Sequence, residues 1–320
     1  MTTMRPYGPE TGFGDDFHRV RDLLLRINQG TVRLPGFLWA RWEWMISQRN
    51  AAFSMLRDPA AQSRIGLWER GGRVVAVATF EDAPGHAYLL CDPGHQDLAP
   101  ELVRHAIEHL GHDGRVSVIV PDADRAWQRV VAANGFRAGQ DGEATAVLDL
   151  DTGLDADLPP GYRLVDLRSD PGLTQFHRVL ALGFGGPEEA QTADTPSAHQ
   201  LDLRRQSVSG PHLDPALHVA VADPDGRWAA YCGTWYAPGT HYALVEPVCT
   251  VPGERRRGAR PGRGARGAAP VPGARCPGGL RRLRAGVLPL LRLRAGARGD
   301  LVDPRSALIT ACLRRPERPP

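Results

Sequence analysis

The sequence predicts a mixed α/β fold: two α+β units in tandem, the second incomplete. Three observations carry this reading. Stretches of helical and strand period alternate along the chain, the same order of elements begins again near residue 161, and the composition changes abruptly past residue 252. A chain of 320 residues has the length of about two ordinary domains.

The first unit, expected over 1–150, opens on a polar, turn-rich segment with no secretory pattern. Phe17, Val20, Leu23, Leu24 and Ile27 are spaced for a helix over 16–28, with Asp15 or Asp16 available as its cap. An aromatic-rich helix is expected at 37–48. Strands follow at 65–69 and 74–80 around the Gly71-Gly72 hairpin, and at 86–91. A helix at 98–110, a strand at 115–120, a helix at 123–133 and a strand at 143–150 complete the unit. Residues 151–160, DTGLDADLPP, form an acidic, proline-ended linker.

The second unit, 161–258, begins with a strand at 162–167 and a helix at 173–184. After a polar loop come a helix at 198–207 and a strand at 218–222. The Asp223-Pro224-Asp225-Gly226 turn then leads to strands at 228–235 and 242–249. Hairpin answers hairpin and strand answers strand, so the chain reads as an internal duplication.

The net charge of +3 conceals a split. Up to residue 252 there are 22 arginines against 32 acidic residues; beyond it there are 17 against 4, and lysine occurs nowhere. All 21 aromatics and all 11 histidines precede residue 253. Residues 259–320 are therefore expected to form a disordered, Arg/Gly/Pro-rich tail without packed elements. The five cysteines lack metal-ligand spacing and read as reduced thiols of a cytoplasmic protein that holds no metal. No apolar run approaches the ~20 residues of a membrane span, so no membrane partner is expected.

Residues 242–258, YALVEPVCTVPGERRRG, run an alternating strand into a short basic loop ending on glycine, the arrangement of an anion site. This stretch resembles the central strand and pyrophosphate loop of the GCN5-related N-acetyltransferases. Arg255, Arg256, Arg257 and Gly258 match the first four places of that family's Arg/Gln-x-x-Gly-x-Gly/Ala loop, and Ala259 fits the fifth. Arg260 breaks the sixth place, and Pro261 follows it. Such a loop holds a diphosphate on backbone N–H groups at a helix start, where side chains would intrude. Asn134-Gly135-Phe136 resembles the family's late Gly-Phe turn.

The resemblance implies two tandem acyl-CoA N-acyltransferase-like domains. The co-substrate would be acetyl-CoA and the acceptor a small-molecule or peptide amine, both bound at a splay in the sheet. It implies a pantetheine beside the backbone of Val248, Cys249, Thr250 and Val251, and a diphosphate on the loop from Arg255 to Gly258. Glu246 is then the candidate general base for the amine proton, the alternative being a solvent-facing strand glutamate. Trp235, Tyr236 and Tyr242 would line the acceptor side or serve as packing aromatics. The corresponding loop of the first unit, DPGHQDLAPELV, has no arginine and offers Asp97 as the helix N-cap. A carboxylate there repels a diphosphate, so the first unit is expected to bind no coenzyme.

Two readings account for the break after Gly258. In one, a single-base insertion or deletion lies between about Pro252 and Gly258. Codons permitted for 258–304, read one base further on, can encode a complete glycine loop, a helix, a strand and a late aromatic helix in the family's order. The product is then impaired or inactive. In the other, the basic tail is genuine and binds nucleic acid, against which stand the acidic body and a tail without aromatics.

Overall fold

A computed structural model describes residues 2–8, 12–28, 37–51, 54–146, 158–240, 242–255 and 307–314. Two antiparallel ladders organise these residues. In the first, β1 (Thr2–Pro6), β2 (Gly66–Arg70), β3 (Arg73–Phe80) and β4 (His86–Cys91) lie side by side in chain order. In the second, β7 (Arg163–Asp166), β8 (Val219–Ala222), β9 (Trp228–Trp235) and β10 (Leu244–Thr250) do the same. Helices α1 (Asp15–Ile27), α2 (Trp39–Ser47) and the short α3 (Pro59–Gln62) separate β1 from β2. In the second ladder α6 (Leu173–Phe184), the short α7 (Pro187–Gln191) and α8 (Ala198–Ser207) separate β7 from β8.

The first sheet continues past β4. Helix α4 (Ala99–His109) leads to β5 (Ser117–Pro121), and α5 (Arg125–Ala133) leads to β6 (Arg137–Ala146). β5 runs parallel to β4, pairing at His86 with Ser117, Ala87 with Val118 and Tyr88 with Ile119. The pairing stops at Tyr88 while both strands continue, so the sheet splays at that point. Strand β11 (Ala307–Arg314) lies between β5 and β6, antiparallel to both. The rest of the expected tail lies outside the described residues.

The two ladders match in residue-level register. β3 carries one extra residue, Val75, opposite β2 just after the hairpin, and β9 carries Ala229 opposite β8 at the same place. The amide of Asp92 donates to the Val75 carbonyl at 2.8 Å, and the amide of Val251 donates to Ala229 at 2.9 Å. Cys91 pairs with Ala76 as Thr250 pairs with Ala230. Each strand then enters a 3-10 turn on a Pro-Gly pair, Pro93–Leu98 in one copy and Pro252–Glu254 in the other.

α6, α8, β4 and β9 match the expected bounds, and most other elements shift by one or two residues. β1 was not expected, because TTMRP has no apolar alternation. It is held by its ladder to β2 and by Arg5, whose Nη1 donates to Asp16 at 2.7 Å. Asp16 is therefore not a helix cap: Gly14 takes that position, and the buried Asp16 carboxylate also accepts the Gly8 amide. Burial would raise its pKa, but Arg5 and the Gly8 amide hold it below the usual carboxylate range. Asp97 does not cap α4 either. Leu98 stands at the cap, and Asp97 pairs with Arg70 at 3.1 Å on the surface.

The larger core is built from Phe17, Trp39, Trp42, Phe80 and their neighbours, and it takes in Trp235 of β9 and Ala237 just beyond that strand. A polar clasp accompanies this shared packing. Glu43 of α2 is fully buried and accepts from the His212 amide and from His212 Nδ1, both at 2.8 Å.

Candidate functional site

The shared register places the two strand-end loops on equal terms. Where the first copy has Asp92 and Asp97 after its strand, the second has Val251 and the run that starts at Arg255. The first loop folds into its own contacts, with Cys91 Sγ donating to the His95 carbonyl at 2.9 Å. Arg255 folds back on its strand, donating to Thr250 O at 3.0 Å and to Gly183 O of α6 at 3.4 Å. Arg256, Arg257 and Gly258 lie outside the described residues.

β10 is the outer strand of its ladder among the described residues, with β9 on one side only. Its register slips between Val245 and Val248, where β10 holds one residue more than β9. The bulge falls on Glu246 and Pro247, and the first copy has none at the matching place. Gly233 makes the bulge possible, because a Cβ there would stand 2.6 Å from Glu246 O and 3.1 Å from the His218 ring. The Glu246 carbonyl accepts from Trp235 Nε1 at 2.9 Å, which fixes the strand to the ring beneath it.

A cavity of about 450 Å³ opens beside this bulge, walled by residues of both ladders and their helices. From the first side come Arg41, Gln48, Glu81 and Asp82; Arg204, His218, Tyr231, Trp235 and Glu246 come from the second. Arg41 Nε and Nη2 donate to the two Glu81 oxygens at 2.7 Å each. Burial nevertheless raises the Glu81 pKa to about 7, with Asp82 and Glu246 adding like charge against the pull of Arg41. Burial likewise raises that of Asp82.

His218 precedes β8 and is almost wholly enclosed, so desolvation drops its pKa to about 3 and the ring is neutral. Its Nδ1 lies 2.6 Å from the Tyr231 hydroxyl, itself a phenol that burial pushes well above its ordinary pKa. Burial also lowers the pKa of Arg204.

Of the residues expected from the sequence, Glu246 and Trp235 line the cavity, Glu246 exposed and Trp235 buried. Tyr236 and Tyr242 do not line it. Tyr242 packs on the larger core, where burial raises its pKa to about 12. Val248 is half-buried. Cys249 is buried against α6, its Sγ donating to Val179 O at 3.4 Å. Thr250 is buried, and Val251 packs on the smaller core. The sequence reading missed Arg41, Glu81, Arg204 and His218 as site residues. The one local signal was the acidic pair Glu81-Asp82 closing an otherwise apolar strand, RVVAVATF.

Among the described residues no cluster of His, Cys, Asp and Glu could hold a metal ion, and no helix is long and apolar enough to cross a membrane.

No protein-family profile matches the chain, and no curated protein matches it. Solved structures do. A tandem GNAT protein from the clavulanic acid biosynthesis pathway is 16% identical over the whole of both chains, with a TM-score of 0.47. A GCN5-related N-acetyltransferase from Sphaerobacter thermophilus is 16% identical over 99% of this chain and 97% of its own, with a TM-score of 0.44. The ribosomal-protein-S18-alanine N-acetyltransferase from Escherichia coli is 18% identical over 44% of this chain and 80% of its own, at 0.30.

Proposed function

We propose that the chain is a tandem N-acetyltransferase of the cytoplasm, using acetyl-CoA and an amine acceptor, whose second copy is the coenzyme-binding one. The observation that carries the reading is the matched register of the two copies. It sets a loop without arginine, whose Asp92 and Asp97 are taken up by Arg26, Arg73 and Arg70, against the arginine run of the other, so the second strand end is the one whose own loop brings positive charge to a diphosphate. The resemblance sets a pantetheine along the strand end from Val248 to Val251, which leads directly into the basic loop.

The bound thioester supplies an activated acetyl carbonyl. Glu246, on the bulge, takes the amine proton directly or through water. The N–C bond forms as the C–S bond breaks, and the departing thiolate takes up a proton from solvent. Residues 1–150 and 161–258 are the two copies in this reading, with 151–160 joining them.

Arg260 and Pro261 spoil the loop as written, and we propose that a single-base shift places the residues beyond about 258 out of frame. The chain as written then binds acetyl-CoA weakly, and a frame-restored chain binds it in the micromolar range. Calorimetric titration of both chains with acetyl-CoA tests this. Micromolar affinity in the written chain removes the impairment, and no affinity in the restored chain removes the acetyltransferase reading. One observation favours a second reading, in which the written tail is native: Ala307–Arg314 pairs with both β5 and β6. The coding DNA across 248–262, read on both strands, separates the two.

A further inference from the structure

Buried polar atoms without partners gather around the cavity. Gln48, Arg204, His218 and Asp82 line it, and each carries a buried side-chain atom (Nε2, Nε, Nε2 and Oδ1 respectively) with no hydrogen-bond partner among the described residues. A native fold satisfies nearly all such groups, so a wall whose residues keep four of them unpaired is one suited to a polar occupant.

The orphans are not all of one kind. In the tautomer whose Nδ1 accepts the Tyr231 hydroxyl proton across 2.6 Å, the ring proton sits on Nε2 and that atom is a donor. His218 Nε2, Gln48 Nε2 and Arg204 Nε are thus three donors, one of them cationic. Asp82 Oδ1 is an acceptor on a carboxylate, with Glu81 and Glu246 also in the wall. Apolar side chains, among them Phe176, Leu180 and Trp235, complete it. The volume suits a small metabolite and excludes a folded partner.

Resting on the acetyl-transfer reading above, we propose that this cavity between the two copies is the acceptor site, and that its acceptor is an amino-acid-like zwitterion with an apolar body. Arg204, with Gln48 and His218, holds the carboxylate, and Asp82 holds the ammonium group. The first copy, which brings no coenzyme loop, supplies Asp82, Glu81 and Gln48 and so completes the acceptor site.

The test is calorimetric titration of the full chain, without coenzyme, by three probes of one shape: phenylalanine, phenethylamine and 3-phenylpropionate. Removing one charge-assisted hydrogen bond weakens binding roughly tenfold, so phenylalanine is expected to bind at least ~10-fold more tightly than either half-molecule. Arg204→Met should bring phenylalanine down to the level of phenethylamine and leave phenethylamine unchanged, which also shows that the variant is folded. Asp82→Asn should weaken phenylalanine and phenethylamine and leave 3-phenylpropionate unchanged. Equal binding of the three probes, or no binding at millimolar concentration, overturns the proposal, and the ranking on the native chain decides even if a variant does not fold. Because coenzyme is absent, these outcomes are separate from the acetyl-CoA titration.

Discussion

Arg41 closes on Glu81 through two hydrogen bonds of 2.7 Å, Nε to Oε1 and Nη2 to Oε2, in the wall between the two copies. Parallel bonds of this kind normally depress a carboxyl pKa, yet burial carries that of Glu81 up to about 7. The guanidinium answers one charge in a wall that also holds Asp82 and Glu246.

The raised value makes stability depend on pH. The ordinary carboxyl value is 4.5, so between that pH and about 7 the folded chain holds a proton that the unfolded chain has lost. Stability from this group is complete below the lower value and is lost as pH rises through the upper one, by at most about 3 kcal/mol. The melting temperature of the native chain should therefore fall more steeply across that window than that of Glu81→Gln. Parallel profiles would show that Glu81 titrates as an ordinary surface glutamate.

Gly233→Ala tests the bulge. The new methyl group would stand 2.6 Å from the Glu246 carbonyl, whose backbone cannot yield as a flexible side chain would. We expect a loss of about 1–3 kcal/mol in denaturant unfolding. The Trp235 fluorescence should shift as well, because its Nε1 bond to that carbonyl is disturbed. A variant with native stability and an unchanged spectrum would place the bulge elsewhere.

Glu43→Ala tests the clasp between the copies. Its removal leaves the His212 amide and Nδ1 without their acceptor and takes away the carboxylate 3.8 Å from Arg21 Nε. Breaking a buried pair from one side costs about 3–5 kcal/mol. A double-mutant cycle with His212→Ala should show the two changes to be strongly non-additive. Additive losses would mean that the pair does not join the halves.

The sequence by itself determined the elements and their repetition. Period-two and helical spacing depend on neighbours a few residues apart, which is why α6, α8, β4 and β9 stand where the pattern places them. It also marked Glu246 and Trp235, because a strand leading into a basic glycine loop is a local signal. Tertiary structure decided the rest. β1 has no apolar alternation and exists through its ladder to β2 and the tie from Arg5 to Asp16. The extra residues at Val75 and Ala229, by which the two ladders match register for register, appear only once partner strands are aligned.

The cavity is the clearest case. Arg41, Glu81, Arg204 and His218 are scattered over more than half the chain, and no spacing rule links them. They acquire shifted pKa values and orphaned polar atoms only when packing of the two copies removes water from around them. Desolvation is a property of the assembled surroundings, and a sequence carries no local record of it.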